Sequence, residues 1–352
     1  MKNLNKFFYK KKILITGHTG FSGSWLTYVL KFFGANIYGL ALKEKNQNAF
    51  YNILNIKKYL SNEYIFDIRN KTKVKKILKK INPEIIFHLA AQPIVSEAYK
   101  DTPYTFETNV LGTINLLDAC KSLNKLKSIV VVTSDKCYRN EYYLNKKFNE
   151  SHPLGANDPY STSKAAQELV VETFRNYIFK NKKFYISTAR AGNIIGGGDF
   201  AINRIVPDYF RAINQKKNLI IRNPNSTRPW QYILDVIFGY IKLSKMQNKS
   251  IEGAWNFGPD QNNINVKKLI GILNKINGFK VKIKFKKNII KESKYLNLDS
   301  SKSKKKLRWK PKYKIKTILE LTSEWYGNIN NKKIIKKVTQ NHLINYIKDL
   351  NK

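Results

Sequence analysis

With 352 residues, 42% of them hydrophobic, the chain is long enough for one large α/β unit with a smaller lobe, and disorder is not expected. No stretch approaches the roughly 20 apolar residues that span a bilayer. The basic N-terminus leads directly into glycines and offers no signal-peptide core. Two cysteines indicate no disulfide framework. We therefore expect a cytoplasmic protein without a membrane partner.

The formal net charge of +41 comes from 65 lysines and arginines against 24 acidic residues. Such an excess suggests nucleic-acid binding. The excess is mostly lysine, however, and it is spread along a chain that is also rich in asparagine and isoleucine, which is typical of a compositional bias. We predict no specific nucleic-acid partner. A basic nucleic-acid-associated protein that has kept a cofactor-binding fold is the alternative from outside the enzymes.

Apolar runs of strand length alternate with amphipathic helical stretches in the first half of the chain. The predicted strands cover residues 12–16, 36–42, 64–67, 84–88, 128–133 and 185–189. The main predicted helices cover residues 20–33, 71–80, 105–122 and 160–179. Apolar strands that alternate with helices predict an α/β fold with a doubly wound parallel sheet of the Rossmann type, covered on both faces.

This alternation ends after the three glycines at 196–198, where segments become shorter and prolines more frequent. The pattern predicts a smaller C-terminal substrate-binding lobe. A helix at 235–246 and a strand at 254–257 are expected to return to the main sheet. We predict a cofactor-binding domain over residues 1–193, joined by 231–258, and a substrate lobe made mainly from 194–352. The lysine-rich residues 301–306 are predicted to form a solvated loop or helix start.

Glycines three residues apart follow the first predicted strand and open the first helix. They allow a tight turn, close approach of the backbone to a pyrophosphate, and close packing of helix on strand. A glycine turn without a ligand is the alternative, but the strand–turn–helix context favours dinucleotide binding. The predicted binding residues of this turn are Gly17, Thr19, Gly20, Phe21, Ser22 and Gly23.

The ends of three other strands supply further candidates for the cofactor. At the end of the second strand, Lys43 with Glu44 beside it occupies the position that contacts the adenosine ribose, and a lysine there suits a 2′-phosphate. The choice between NAD and NADP therefore stays open. Asp67 and Ile68 follow the third strand and are candidates for the adenine, although an ordinary turn aspartate fits equally well.

Small residues end the fourth strand, where a flat cofactor can lie against the backbone. The candidates there are Leu89, Ala90, Ala91 and Gln92, with Asn109 from the following helical stretch.

Tyr160 and Lys164 are the candidate proton-transfer pair. Pro159 favours a helix that begins at this point, so the two side chains lie one turn apart on one face. A lysine cation beside a phenol lowers the phenol pKa and makes a base for an alcohol proton. Both residues are also counted as cofactor-binding. The alternative is a packed tyrosine beside a solvated lysine.

Thr133, Asp135 and Lys136 follow the fifth strand, at the sheet edge that also carries the glycine turn. Catalytic groups belong in such a loop. Alternatively, the Ser134 and Asp135 side chains only cap a helix. Arginine forks suit phosphate oxygens, and a further set is predicted to bind a substrate diphosphate. The substrate-binding candidates are Thr133, Asn193, Arg204, Arg222 and Arg228.

Taken together, these motifs resemble the extended short-chain dehydrogenase/reductase superfamily. Within it the chain is similar to the CDP-glucose 4,6-dehydratase family. The similarity rests on residues 16–26, 133–138, 158–161, 189–200, 221–224 and 228–231. It covers roughly residues 10 to 310. The Asp135-Lys136 pair separates this group from dTDP-glucose and GDP-mannose dehydratases, which carry Asp-Glu or Thr-Glu there. Lys43 departs from the aspartate that is common in the family.

The resemblance implies an NAD-binding domain and a nucleotide-sugar domain with the reaction between them. It implies that CDP-glucose is converted to CDP-4-dehydro-6-deoxyglucose, which feeds deoxysugars of surface polysaccharide. Tyr160 would remove the 4-hydroxyl proton, Thr133 would orient the same oxygen, and Asp135, with a raised pKa, would protonate the departing 6-hydroxyl. Lys136 lies where relatives have a carboxylate base.

Other nucleotide-sugar dehydratases and 4-epimerases of the same fold remain enzymatic alternatives, because they also use a tyrosine and a lysine four residues apart. The resemblance further implies a homodimer or homotetramer. No metal site is predicted.

Overall fold

The computed structural model describes residues 2–140, 147–155, 157–260, 263–286 and 296–352. A seven-stranded parallel sheet lies at its centre, in the order β7-β6-β5-β4-β1-β2-β3. Its strands are β1 Lys12–Thr16, β2 Asn36–Ala41, β3 Asn62–Ile65, β4 Ile85–His88, β5 Ser128–Val132, β6 Tyr185–Ala191 and β7 Gly253–Phe257. The predicted doubly wound sheet is confirmed.

Helices cover both faces of this sheet. They are α1 Lys2–Phe8, α2 Phe21–Phe32, α3 Lys71–Ile81, α4 Gly112–Cys120, α5 Pro159–Thr173, α6 Ile205–Asn214, α7 Ile233–Met246, α8 Val266–Ile276, α9 Ser301–Leu307, α10 Ile315–Gly327 and α11 Lys332–Leu350. Shorter turns of helix are Phe50–Ile53, Ile56–Tyr59, Val95–Lys100, Thr102–Phe106, Asp135–Cys137 and the π-helical Glu107–Leu111 and Phe174–Ile178.

Two apolar cores result because each central strand is buried on both faces. Trp25 and Val29 of α2 belong to one core, and Leu116 of α4 and Val171 of α5 belong to the other. β4 is buried at all four residues. Side chains that alternate along β5 therefore enter the two cores in turn, Val130 the first and Val131 the second.

Two predicted elements differ from the structure. The third strand is Asn62–Ile65 rather than 64–67, and Asp67 lies beyond it. This strand lies at the sheet edge and is only partly buried, so its sequence carries little apolar alternation. The predicted helix 105–122 is divided by the π-helical turn Glu107–Leu111.

The C-terminal half returns to the sheet through β7, where Trp255 is in register with Ala189 of β6. Three pairs of short strands lie outside it: Ile194–Ile195 with Gln231–Tyr232, Thr227–Pro229 with Asn263–Asn265, and Leu219–Ile221 with Ile283–Phe285. α10 reaches the glycines after β6, because a Cβ on Gly197 would lie 2.0 Å from Trp325.

The lysine-rich residues 301–306 belong to helix α9, whose Ser303 and Leu307 are buried. None of the helices in the described ranges combines the length and apolar character that a bilayer-spanning segment needs. The cytoplasmic location remains a prediction.

Candidate active site

The glycine turn brings the end of β1 into backbone contact with the end of β4. Gly17 has a φ of +74°, and a Cβ on it would lie 2.7 Å from the amide nitrogen of Ala90. A Cβ on Gly23 would lie 2.1 Å from the carbonyl oxygen of Gly17. Only glycine fits these two positions. Gly17 has a left-handed backbone, and Gly23 lies where the start of α2 approaches the turn most closely.

A cavity of 410 Å³, here called the turn cavity, opens beside this turn. The predicted cofactor residues that line it are Gly17, Thr19, Gly20, Phe21, Ser22, Gly23, Asp67, Ile68, Leu89, Ala90 and Ala91. A cradle without side chains at a helix start fits a dinucleotide pyrophosphate. These residues would hold such a cofactor.

Two predicted cofactor residues support the turn cavity from behind. The Asn109 side chain accepts a hydrogen bond from the amide of Gln92 over 2.8 Å and donates to the hydroxyl of Ser163 over 2.9 Å. The Gln92 side chain donates to Thr105 and accepts from the amide of Ile94. Both side chains are buried and engaged in these bonds, so they fix the loop after β4. That they also contact the cofactor stays a prediction.

An acid rather than a lysine lines the turn cavity just after β2. Glu44 lines this cavity, whereas the Lys43 side chain is exposed and is not part of the lining. The charged residue that follows β2 and lines the cavity is therefore a carboxylate, which suits a free 2′-hydroxyl better than the 2′-phosphate that Lys43 suggested. Asp67, also in the lining, has its carboxylate bound by Arg69 over 2.9 Å.

A second cavity of 450 Å³, here called the sugar cavity, contains every predicted catalytic and substrate-binding residue. These are Thr133, Asp135, Lys136, Tyr160, Lys164, Asn193, Arg204, Arg222 and Arg228. Ser22, Leu89, Ala91 and Arg204 line both cavities, so the two are neighbours. The structure thus brings together residues from β5, α5 and the C-terminal half.

Helix α5 begins as the sequence predicts. Asp158 caps it by accepting a hydrogen bond from the amide of Ser161 over 2.9 Å, and Pro159 occupies its first turn. Tyr160 and Lys164 follow on one face, 8% and 2% exposed.

Burial dominates the pKa values of this pair. It lowers the pKa of Lys164 to about 8, although the negative charge of Glu168 opposes the shift. It raises the pKa of Tyr160 to about 12, while the Ser134 hydroxyl and the charge of Arg204 act in the opposite direction. The sequence predicted that Lys164 would lower the pKa of Tyr160. That direction is wrong for the phenol in its protein surroundings, because desolvation is the larger effect.

Ser134, not Thr133, supplies the hydroxyl beside the phenol. The Thr133 hydroxyl donates to Glu168, away from Tyr160. The Ser134 hydroxyl donates to Oδ1 of Asp135 over 2.9 Å and lies close enough to Tyr160 to lower its pKa. The sequence pattern of β5 could have predicted this. Side chains two residues apart on a strand point to the same face, so Thr133 points to the same face as Val131, which packs against α5. The predicted orienting role of Thr133 is corrected accordingly.

The partner of Thr133 belongs to a buried ion pair. Arg190 of β6 donates to both oxygens of Glu168, over 2.8 and 2.9 Å, and Thr188 donates to it as well. Burial favours the neutral acid, but Arg190 outweighs it and holds the pKa of Glu168 below its usual range. Glu168 is therefore a carboxylate with all its donors in place.

Asp135 has the raised pKa that the sequence predicted. Burial raises its pKa to about 6, against the charges of Lys136 and Arg228 and the hydroxyl of Ser134. Its Oδ2 makes no hydrogen bond to the described residues. Ser134 also caps the short turn Asp135–Cys137, so the capping alternative holds for Ser134, whereas the described contacts include no cap bond from Asp135. Lys136 lines the sugar cavity and is half-buried.

The predicted diphosphate arginines have different surroundings. Arg204 pairs with Asp199 over 2.9 Å, and Arg222 donates to Asn203 over 2.6 Å. Arg204 influences Tyr160 and Arg228 influences Asp135, so these two cations lie near the reacting groups.

The parallel sheet, the glycine turn and the tyrosine–lysine pair define a nucleotide-sugar epimerase/dehydratase architecture. The family model described as GDP-mannose 4,6 dehydratase matches residues 14–322, and the chain belongs to this family. One relative, the CDP-glucose 4,6-dehydratase of Salmonella typhimurium, is 37% identical over 332 residues, 91% of each chain.

Solved structures agree in fold. UDP-glucose 4-epimerase of Thermotoga maritima, solved with UDP-glucose, has a TM-score of 0.81 at 21% identity over 91% of this chain and 100% of that chain. UDP-glucuronic acid 4-epimerase of Bacillus cereus, solved with UDP-glucuronic acid and NAD, has a TM-score of 0.78 at 25% identity over 91% and 99%.

Proposed function

We propose that this protein is a CDP-glucose 4,6-dehydratase. The observation that supports this best is a buried carboxyl, Asp135, with a pKa raised to about 6, in the same cavity as Tyr160. A 4-epimerase needs the phenol but no acid for elimination. The relative from Salmonella typhimurium supports cytidine as the base. The product would be CDP-4-dehydro-6-deoxyglucose, for deoxysugars of surface polysaccharide.

We infer that the turn cavity binds NAD, which is bound in the solved structure of the UDP-glucuronic acid 4-epimerase of Bacillus cereus. Glu44 in its lining favours a free ribose hydroxyl over a phosphate. NAD, when bound, would accept a hydride from carbon 4 of the sugar and return it to carbon 6.

The side chains then have separate tasks. Tyr160 removes the proton of the 4-hydroxyl, with Lys164 and Arg204 as the cations that stabilise its phenolate. Ser134 orients the same hydroxyl. Asp135 donates its proton to the departing 6-hydroxyl once the carbon 5 proton has become acidic beside the ketone.

Lys136, in its neutral amine form, is the candidate for accepting the carbon 5 proton. Asn193 and Arg222 bind the diphosphate. Arg204 and Arg228 also bind it, through the N–H groups that do not point toward Tyr160 and Asp135.

The decisive experiment incubates the purified protein and NAD with CDP-, UDP-, dTDP- and GDP-glucose and identifies the products by NMR. A 4-keto-6-deoxy sugar from CDP-glucose, with carbon 4 deuterium recovered at carbon 6, is the expected result. A galactose product would instead indicate a 4-epimerase. A keto sugar formed only from another nucleotide-glucose would support the dehydratase reaction but contradict cytidine as the nucleotide base.

We also propose the domain division that the sequence suggests, with residues 1–193 and 231–258 binding the cofactor and mainly 194–352 binding the nucleotide sugar.

We further propose a homodimer. Leu111, which precedes α4, and Leu169 of α5 are 51% and 54% exposed, and their burial in a homodimer would remove apolar surface from water. Light scattering of wild type and Leu169→Glu tests this. The diffuse positive charge predicts that any nucleic-acid mobility shift disappears at physiological salt.

A further inference from the structure

The ammonium of Lys164 is held by a side chain that has no role in the reaction as described so far. Its Nζ donates to Oε1 of Gln167 over 2.9 Å and to the carbonyl of Val132 over a longer 3.3 Å. Gln167 is fully buried on the next turn of α5. Because an ammonium only donates, the amide oxygen must face it, and the amide nitrogen therefore points away.

The amide nitrogen of Gln167 donates to the Thr113 hydroxyl over 2.8 Å. Thr113 gives its own proton to the carbonyl of Asn109 over 2.7 Å and lies 3.0 Å from Nε2 of His88. A hydroxyl has one proton and two acceptor sites, so His88 must donate to it through Nε2. Nδ1 of His88 then accepts from Thr16, 2.7 Å away.

This chain connects α5 to α4, β4 and β1 with every hydrogen direction determined. It is also unable to take up a proton, because burial and the charge of Lys164 lower the pKa of His88 to about 3. The network is therefore a rigid support that ends at Thr16, directly before the glycine turn.

We propose that Gln167 is the positioning residue of Lys164, which keeps its ammonium charged and fixed one helical turn from Tyr160. The inference rests on the proposed function in so far as a charged Lys164 assists proton removal by Tyr160. Three other groups act on Lys164 or feel its charge: the Glu168 carboxylate, the Cys137 thiol, whose pKa burial raises, and the neutral His88. Of these, Glu168 supplies charge but no hydrogen bond to Nζ in the described contacts.

The test is Gln167→Met, which keeps the length of the side chain and removes both polar groups. The first measurement is NMR of the unliganded protein labelled with ¹⁵N-lysine, with the Lys164 signal assigned through Lys164→Arg. Loss of a bond to the charged form should lower the Lys164 pKa by about one unit. In rapid-mixing measurements with CDP-glucose, the alkaline limb of the rate of hydride transfer should move down by the same amount, with the affinity for CDP-glucose changed less than about twofold.

Thr188→Val is the matched control, because it removes a buried bond to Glu168 without touching Lys164. It is expected to leave the Lys164 pKa and the alkaline limb in place. If Gln167→Met does not fold, Gln167→Glu serves instead: a carboxylate should raise the Lys164 pKa and move the limb upward.

An unchanged Lys164 pKa in either folded variant overturns the inference. That NMR result is independent of the sugar, so it separates this inference from the proposed function. An active dehydratase with an unchanged pKa refutes the role of Gln167 alone. A shifted pKa in a protein that converts no nucleotide-glucose refutes only the dehydratase.

Discussion

The hydroxyl of Ser134 donates to Oδ1 of Asp135 over 2.9 Å and also lies beside the phenol of Tyr160. One small side chain therefore contacts both the proposed base of the oxidation and the proposed acid of the elimination. Thr133, one residue earlier, uses its hydroxyl on Glu168. The two neighbouring hydroxyls should have clearly different effects when they are removed.

Ser134→Ala should slow hydride transfer by about 10–100-fold, because it removes the hydroxyl that orients the substrate oxygen beside the base. Thr133→Val, which removes the other hydroxyl, should slow it less than about fivefold and mainly lower stability. Rapid-mixing absorbance of the reduced cofactor measures both. Equal losses in the two variants would mean that Thr133 also contacts the sugar.

Asp135→Asn should still oxidise the sugar but stall before loss of water, because an amide has no acidic proton to give to the 6-hydroxyl. Reduced cofactor should accumulate to about one equivalent. In the wild type, the carboxyl is the active form and its pKa is about 6. Elimination should therefore fall about tenfold per pH unit as the pH rises beyond that value. Normal water loss by the variant would exclude Asp135 as the acid.

Glu168→Gln should lower the free energy of unfolding by about 3–5 kcal/mol, because it leaves the buried Arg190 cation without its counter-charge. Denaturant titration measures this change. The exposed pair Lys316–Glu320 is the control, and Lys316→Ala should cost about 0–1 kcal/mol. Similar losses at both sites would show that water reaches Arg190.

Lys164 should make stability rise with pH between about 8 and 10.5. Its pKa is lowered from 10.5 to about 8 in the folded protein, so the unfolded chain binds more protons within this window. Stability is therefore gained as the pH increases, by about 3 kcal/mol over the whole shift. The measurement is the pH dependence of unfolding for the wild type minus that for Lys164→Met. Parallel curves would contradict the lowered pKa.

Glu44→Ala should weaken NAD binding by about tenfold and affect NADP little, because it removes from the turn cavity the carboxylate that would bind a free ribose hydroxyl. Lys43→Ala, which changes an exposed neighbour, should leave NAD affinity within about twofold. Calorimetric titration of both variants with both cofactors distinguishes the two positions. A strong effect of Lys43→Ala alone would instead support the contact between Lys43 and a 2′-phosphate that the sequence suggested.

Local pattern alone determined the framework. Buried strands alternate with helices, glycines three residues apart follow β1, and Tyr160 and Lys164 lie one turn apart because helical spacing requires it. The raised pKa of Asp135 was expected from the acid role that the family resemblance implies, not from local pattern.

Tertiary structure decided which of two adjacent residues acts at each cavity: the hydroxyl of Ser134 rather than that of Thr133 lies beside Tyr160, and Glu44 rather than Lys43 lines the turn cavity. It also reversed the expected shift of Tyr160 and assigned Gln167 to Lys164. The physical reason is that hydrogen-bond partners and burial come from elements distant in sequence. Spacing along one helix or strand determines the face to which a side chain points. The pKa and the hydrogen-bond partners of that side chain depend on every element packed around it.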